Sequence, residues 1–345
     1  VRIFVIASLM LLAVPAAAAP GDLSGPAAAH AVDALIASMN GYVDPQTGAR
    51  VQALLRKERK RLSAIRDREA LVREVNLLLA DAHDQHLKIR IDTMDPKQAA
   101  RSPEDEALLE RHLAHGLMAV RRLPGNIGYL KLRYFAADAE GARMVDQAMH
   151  MLKDSGALII DLRENTGGGG ATDTRLLGHL SATPIPMAKI HWRKPDGSFV
   201  VEQRVADMPA GGPLYADRPV FVLMAKRTFS AAEGFAYDLQ AARRATLVGE
   251  ASRGGGNPAN RNVELGSGMS AFVPNGRVEH PTTHGNWEGK GVQPDIASDP
   301  KLALVEAYRR ALAVARPLAT TPKSERERAD AIADPEAVLR ADAGL

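Results

Sequence analysis

Ser230 lies in the run Thr228-Phe229-Ser230-Ala231-Ala232-Glu233, at the point where the hydrophobic pattern changes period. A hydroxyl there has two uses. As a helix N-cap it accepts a backbone N–H, and Glu233, three residues on, completes a capping box. As a nucleophile it sits among unpaired N–H groups at the positive end of a helix dipole, where an oxyanion formed by its attack on a carbonyl is stabilised. The second use needs a base and a further N–H donor. Four consecutive glycines, Gly167 to Gly170, are a source of such donors. They are not a nucleotide loop, because no G-K-[ST] follows and the G-x-G-x-x-G context is missing. A plain tight turn or a set of backbone donors remains. Three histidine pairs, His83-x-x-His86, His112-x-x-His115 and His280-x-x-x-His284, each resemble half a metal site, but none has the H-E-x-x-H pattern.

These residues need a scaffold. Pro219 to Ala225 is a short apolar run of the kind found in a strand covered on both faces, and Ala232, Phe235, Ala236 and Leu239 then recur at helical spacing. The same alternation appears upstream: a strand over Ile127 to Phe135, a helix over Met144 to Leu152, a strand over Ala157 to Leu162, and a helix from the glycines through Leu180. Such alternation predicts an α/β core with covered strands. Thr246 to Gly249 and residues near Val263 and Phe272 read as further strands, and Leu302 to Val314 as an amphipathic closing helix. Two strands around Pro195-Asp196-Gly197-Ser198 predict a hairpin excursion near 187–205.

Before the core, apolar stripes between His30 and Leu79 predict a small helical domain over 20–80. The basic run Arg56 to Arg61 reads as the solvated face of one of its helices. Asp81 to Asp92 leads into a strand, and Ser102 caps a helix expected to continue to Val120. The core is expected to span 81–316, followed by a charged, loosely attached tail over 317–345. Residues 1–19 set one arginine before an apolar run and end in small residues, which reads as a secretory signal peptide with an A-x-A exit; the run is too short to span a bilayer. A periplasmic or secreted protein with no membrane contact after cleavage is therefore expected.

The 345 residues include no cysteine, which excludes disulfides, thiolate metal ligands and thiol nucleophiles. A net charge of +3 with only 4% aromatic residues gives no nucleic-acid footprint.

Five ordered stretches carry a resemblance: Asp84-Gln85-His86-Leu87-Lys88-Ile89, the segment Asp161 to Gly168, Thr228 to Glu233, Leu247 to Glu250, and Trp287 to Asp295. Together they resemble the peptidase family of the tail-specific, or C-terminal processing, proteases, which also contains the tricorn core protease and the repeats of interphotoreceptor retinoid-binding protein. The match covers about 126–313. It implies a crotonase/ClpP-like ββα-superhelix core. Tail-specific proteases pair serine with a lysine in a loop after the Leu-Val-Gly-Glu motif, but here that loop is Arg253 to Pro258 and the first lysine after Ser230 is Lys290. The interval from Asp92 to Asn126 is also too short for a PDZ domain. The chain thus resembles the PDZ-less branch, in which histidine is the base.

Carried over residue by residue, the resemblance implies Ser230 as nucleophile, His86 as base, Glu288 as orienting carboxylate, and an oxyanion hole from the N–H groups of Ala231 and of Gly167 or Gly168. His83 competes with His86, and Asp295 with Glu288. Trp287 is expected to pack, and Asp161 with Arg163 to form an ion pair near the site. The resemblance implies no metal and no cofactor. It points to a serine peptidase acting on peptides or loosely folded protein. The competing readings are a binder of apolar ligands on the same scaffold and an esterase. Its oligomeric state is left open.

Overall fold

The computed structural model describes residues 22–92, 102–318 and 320–342; the signal-like stretch lies outside them. Near the N-terminus three helices form where caps and apolar stripes coincide. Helix α1 (Gly25–Ser38) starts after Ser24, whose side chain accepts the Ala27 N–H; α2 (Pro45–Leu62) and α3 (Arg68–Leu79) are capped by Asp44 and Asp67. Leu35, Val51, Leu55, Leu71, Val75 and Leu79 form their buried faces. These helices do not close a core by themselves, in contrast to the domain expected over 20–80. They share one with an antiparallel sheet in which β1 (Lys88–Ile91) pairs with β10 (Met269–Phe272), and β10 with β9 (Asn262–Gly266). Leu265, Met269, Ala271 and Val273 are fully part of this cluster. Single apolar stripes need a facing layer, and a segment nearly 200 residues downstream supplies it.

The helix expected from Ser102 to Val120 is shorter. Helix α4 (Pro103–His112) ends where Ala114, His115 and Gly116 adopt positive φ, and Leu117 to Leu123 is a strand, β2. Positive φ breaks the helical path, and β2 gains an antiparallel partner in β3 (Ile127–Leu132). After β3 the chain alternates through α5 (Ala139–Met151), β4 (Ala157–Asp161) and α6 (Ala171–Leu180). The hairpin β5 (Lys189–Arg193) and β6 (Phe199–Glu202) follows, then β7 (Val220–Met224), α7 (Ala231–Ala241) and β8 (Thr246–Gly249). Strand β11 (Gly276–Glu279) joins β5, so the hairpin is part of a three-stranded sheet.

The central sheet has the order β12-β8-β7-β4-β3-β2, with β12 being Ile296–Ala297. All its pairings are parallel except β2 with β3. Strand residues alternate between two cores, as a pleat requires. Leu158, Ile160, Val220, Val222 and Met224 face α5, α6 and α7. Ala157, Ile159, Phe221 and Leu223 face α8 (Ala303–Val314). The α/β class read from the alternating pattern is the observed one.

The tail is docked, against expectation. Helices α9 (Pro322–Ala333) and α10 (Pro335–Ala341) bury Ala331 and Leu339 in the α8 core. Glu327 accepts the Gly125 N–H at 3.1 Å, and Arg121 pairs with Asp342 at 3.0 Å. Two small apolar contacts and these polar clamps are too sparse to stand out in a charged sequence, yet they cover the α8 side of the sheet.

Candidate active site

Because β4 and β7 are parallel neighbours, with Asp161 opposite Leu223, the loops leaving their C-terminal ends meet. Thr228 ties them: its hydroxyl donates to Leu162 O at 2.8 Å and accepts the Ala225 N–H at 3.0 Å. Phe229 N–H donates to Asn165 O at 3.1 Å. Ser230 follows at φ 56°, ψ −122°, a backbone conformation that costs a non-glycine residue on the order of 1–3 kcal/mol. Only half of the capping box forms. Glu233 Oε2 accepts the Ser230 N–H at 2.7 Å, but the Ser230 side chain makes no cap hydrogen bond. The hydroxyl has no hydrogen bond at the helix start among the described residues.

Glu233 is completely buried and does more than cap. It also accepts the Ser252 hydroxyl at 2.6 Å and the N–H groups of Gly254 at 2.6 Å and Gly255 at 2.8 Å. Burial pushes its carboxyl above the usual range, and the donors from Ser252, Gly255, Gly254 and Ser230 work against that. One side chain thereby joins the serine turn to the 254–256 loop.

Of the glycines expected to supply an oxyanion donor, Gly167 is unsuited, because its N–H is taken by Asn165 Oδ1 at 2.9 Å. The N–H groups of Gly168 and Ala231 have no hydrogen-bond partner among the described residues. Gly168 has φ +99°, and a Cβ there would lie 2.3 Å from the Phe135 carbonyl oxygen, so only glycine fits. A Cβ on Gly167 would lie 2.8 Å from that of Ser230, which measures how closely this loop adjoins the serine.

His86 and Ser230 line one cavity of about 120 Å³, with Gly168, Ala231 and Gly255 among the other lining residues. The imidazole lies between Phe229 and Phe272, at ring centroid distances of 4.3 and 5.1 Å. Gly255 permits this approach, since a Cβ there would be 2.2 Å from the Phe229 ring and 2.7 Å from His86 Cε1. His86 Nδ1 is buried without a hydrogen bond. Burial drives the His86 pKa down to about 4; Asp84 opposes the shift and Lys88 adds to it. The ring is therefore neutral at physiological pH, as a general base must be.

Asp84 and Glu288 approach His86, and the potential ligand atoms of the three lie within 4.8 Å of one another. Asp84 accepts four hydrogen bonds: from Tyr42 Oη at 2.8 Å, Asn257 Nδ2 at 3.1 Å, and the N–H groups of His86 at 2.8 Å and Leu87 at 3.3 Å. Glu288 Oε2 accepts the Gly256 N–H at 2.6 Å, whereas Oε1 is buried and unpaired. Burial, reinforced by Asp84, pushes the Glu288 carboxyl up to about 7. Glu288 Oε1 and His86 Nδ1 are both buried without a hydrogen bond among the described residues, a pair suited to sharing a proton.

The competing residues fall elsewhere. His83 is exposed. Asp295 accepts the Leu247 N–H at 2.8 Å and Gln240 Nε2 at 2.7 Å, holding β8 to the end of α7. Trp287 is buried in the core, and its indole donates to Gly255 O at 2.9 Å. Asp161 and Arg163 pair at 2.6 Å, with Tyr129 also donating to Asp161. His115 forms a second histidine-carboxylate group with Glu110 and Asp138, and His112 is not in it. Sequence reading missed Asp84, Asn257 and Asn165. Asp84 had a signal, standing two residues before His86 in the quoted motif; the other two acquire meaning only through contacts.

The family model described as Peptidase family S41 matches residues 126–298. The carboxyl-terminal-processing protease of Synechocystis sp. is 32% identical over 189 residues, which is 53% of this chain and 41% of that protein. The chain thus spans well under half the length of this curated relative. Two solved structures share the fold. A lipoprotein from Streptococcus agalactiae aligns with a TM-score of 0.55 and 15% identity, over 87% of this chain and all of that one. A candidate peptidase from Parabacteroides merdae aligns with a TM-score of 0.55 and 20% identity, over 81% of this chain and 90% of that one.

Proposed function

The chain belongs to peptidase family S41, and from that premise we propose that it is a serine peptidase in which Ser230 attacks, His86 acts as base and Glu288 orients the imidazole. The observation that carries the reading is the shared cavity: a serine hydroxyl and two N–H groups, all without hydrogen bonds among the described residues, open onto the same space as a buried, neutral imidazole. Ser230 Oγ forms a bond to the scissile carbonyl carbon as its proton passes to His86. The carbonyl oxygen, now an anion, takes hydrogen bonds from Gly168 and Ala231. The C–N bond breaks, His86 returns the proton to the departing amine, and water hydrolyses the acyl-enzyme with His86 again as base. Glu288 Oε1 becomes the partner of the imidazolium, since Asp84 already accepts four other hydrogen bonds.

The substrates are peptides or loosely folded protein segments, which suits a site open to solvent beside an exposed hairpin. The signal-like stretch in 1–19 supports action outside the cytoplasm. Among the described residues no helix is long and apolar enough to cross a membrane. A fluorophosphonate probe tests the chemistry. Labelling of the wild type that disappears in Ser230→Ala and in His86→Ala is expected; a folded wild type that remains unlabelled rejects the proposal, and labelling that survives Ser230→Ala means another nucleophile.

A further inference from the structure

The cavity that holds Ser230 contains a second ionisable group with no part in the chemistry above. Asp238 lies seven residues after Ala231, two helical turns along α7 on the same face, and lines the cavity with Gly234 and Phe235. It is 2% exposed, yet only one of its oxygens is satisfied: Oδ1 accepts the Ala188 N–H at 3.1 Å. His280 is near, with Nε2 3.7 Å from the same oxygen, but does not serve it. The His280 Nδ1 accepts the N–H groups of Thr282 and Thr283 at 3.2 and 3.3 Å, so its proton is on Nε2, and that proton goes to Pro186 O at 3.1 Å. Oδ2 has no hydrogen bond among the described residues. An acceptor without a protein partner, on a residue that lines a cavity beside a nucleophile, is available to a ligand.

The other charges around the cavity cancel. Arg204 is paired with Asp173, its Nη2 donating to the two carboxylate oxygens at 2.9 and 2.7 Å. Met187, Ile190, Val278 and Trp287 make the remaining wall apolar. Such a cavity favours an unbranched hydrocarbon stem with one compact donor at its end. Burial raises the Asp238 carboxyl well above its ordinary range, and an ammonium brought beside it would oppose that shift by favouring the ionised form.

Building on the serine peptidase reading, we propose that Asp238 determines specificity, receiving the side chain of a lysine whose carbonyl Ser230 attacks. Two peptides differing only in lysine or norleucine at that position share the stem and differ in the ammonium group. The wild type is expected to cleave the lysine peptide with kcat/KM about tenfold or more above the norleucine peptide. In Asp238→Asn that ratio should fall to near one, chiefly through loss on the lysine peptide. Equal or better cleavage of the norleucine peptide by the wild type overturns the proposal, as does an unchanged ratio in Asp238→Asn. Should that variant fail to fold, the wild-type ratio decides alone. Fluorophosphonate labelling of the wild type separates the two failures: a labelled enzyme indifferent to lysine rejects only the role of Asp238, and an unlabelled one rejects the peptidase reading and this proposal together.

Discussion

Glu233 accepts the backbone N–H of Ser230 at 2.7 Å, and the oxygen that does so also accepts the N–H of Gly255 at 2.8 Å. A residue that reads as half of a capping box is therefore the joint between the serine turn and the loop beneath His86. Its replacement by alanine leaves four donors, three of them buried, without an acceptor. We expect Glu233→Ala to lower stability by about 3 kcal/mol or more, read from chemical denaturation, and to abolish probe labelling even where folded protein is recovered. A variant of wild-type stability would contradict the joint.

The two reacting side chains should fail as a unit. Ser230→Ala and His86→Ala are each expected to reduce kcat on a cleaved peptide by about 10⁴-fold or more, and the double variant by little beyond either. Losses that multiply would mean that the residues act independently.

Glu288 and His86 give rate limbs of the same sign and stability contributions of opposite sign. Glu288, raised from 4.5 to about 7, is the better orienting group when ionised, so kcat/KM should rise as pH increases through about 7. His86, lowered from 6.5 to about 4, loses its role as base only near that lower value, giving a second and more acidic limb. For stability, the depressed His86 contribution is fully present above 6.5 and lost as pH falls toward 4; the raised Glu288 contribution is present below 4.5 and lost as pH rises through 7. In a pH-rate profile, Glu288→Gln should remove the limb near 7. A limb that persists in that variant belongs to some other group.

Gly255 tests how closely His86 must be held. A methyl group there meets the Phe229 and His86 rings at 2.2 to 2.7 Å. Gly255→Ala is expected to lower kcat by about 10²-fold, through displacement of the imidazole. Gly41→Ala, where a Cβ meets nothing within 4 Å, is the matched control and should retain activity. Equal activity in the two variants would show that the contact is tolerated.

Removal of residues from 320 onward tests the docked tail. Ala331 and Leu339 leave the α8 core, and the Glu327 and Asp342 contacts to the β2–β3 region are lost. The burial alone corresponds to about 2–4 kcal/mol, and the melting temperature should fall by several degrees. An unchanged melting temperature would restore the loosely attached tail.

Much of the core was legible from pattern. Strands β4 and β7 are apolar throughout because both faces are covered, and the change of period after Met224 marked the turn that carries Ser230. Local breaks were harder to read: positive φ at Ala114 and His115 ends α4 and frees the chain for β2, yet neither residue type announces that conformation. The helical region near the N-terminus gave no hint that Leu265 and Met269 complete its core, because the partners are far apart in the chain.

The site divides in the same way. Sequence by itself determined the residue types, a serine at a strand-to-helix junction, a glycine run and a histidine motif, since these depend on local geometry and ordered spacing. Only the tertiary structure decided which N–H groups stay free, because Asn165 occupies that of Gly167 and leaves that of Gly168. It also decided that Asp84 is fully engaged while Glu288 keeps an open oxygen, and that Asp238 faces the cavity with an acceptor to spare. Hydrogen-bond valence and burial are properties of an assembled environment, and no spacing along one chain encodes how many partners a buried group will find.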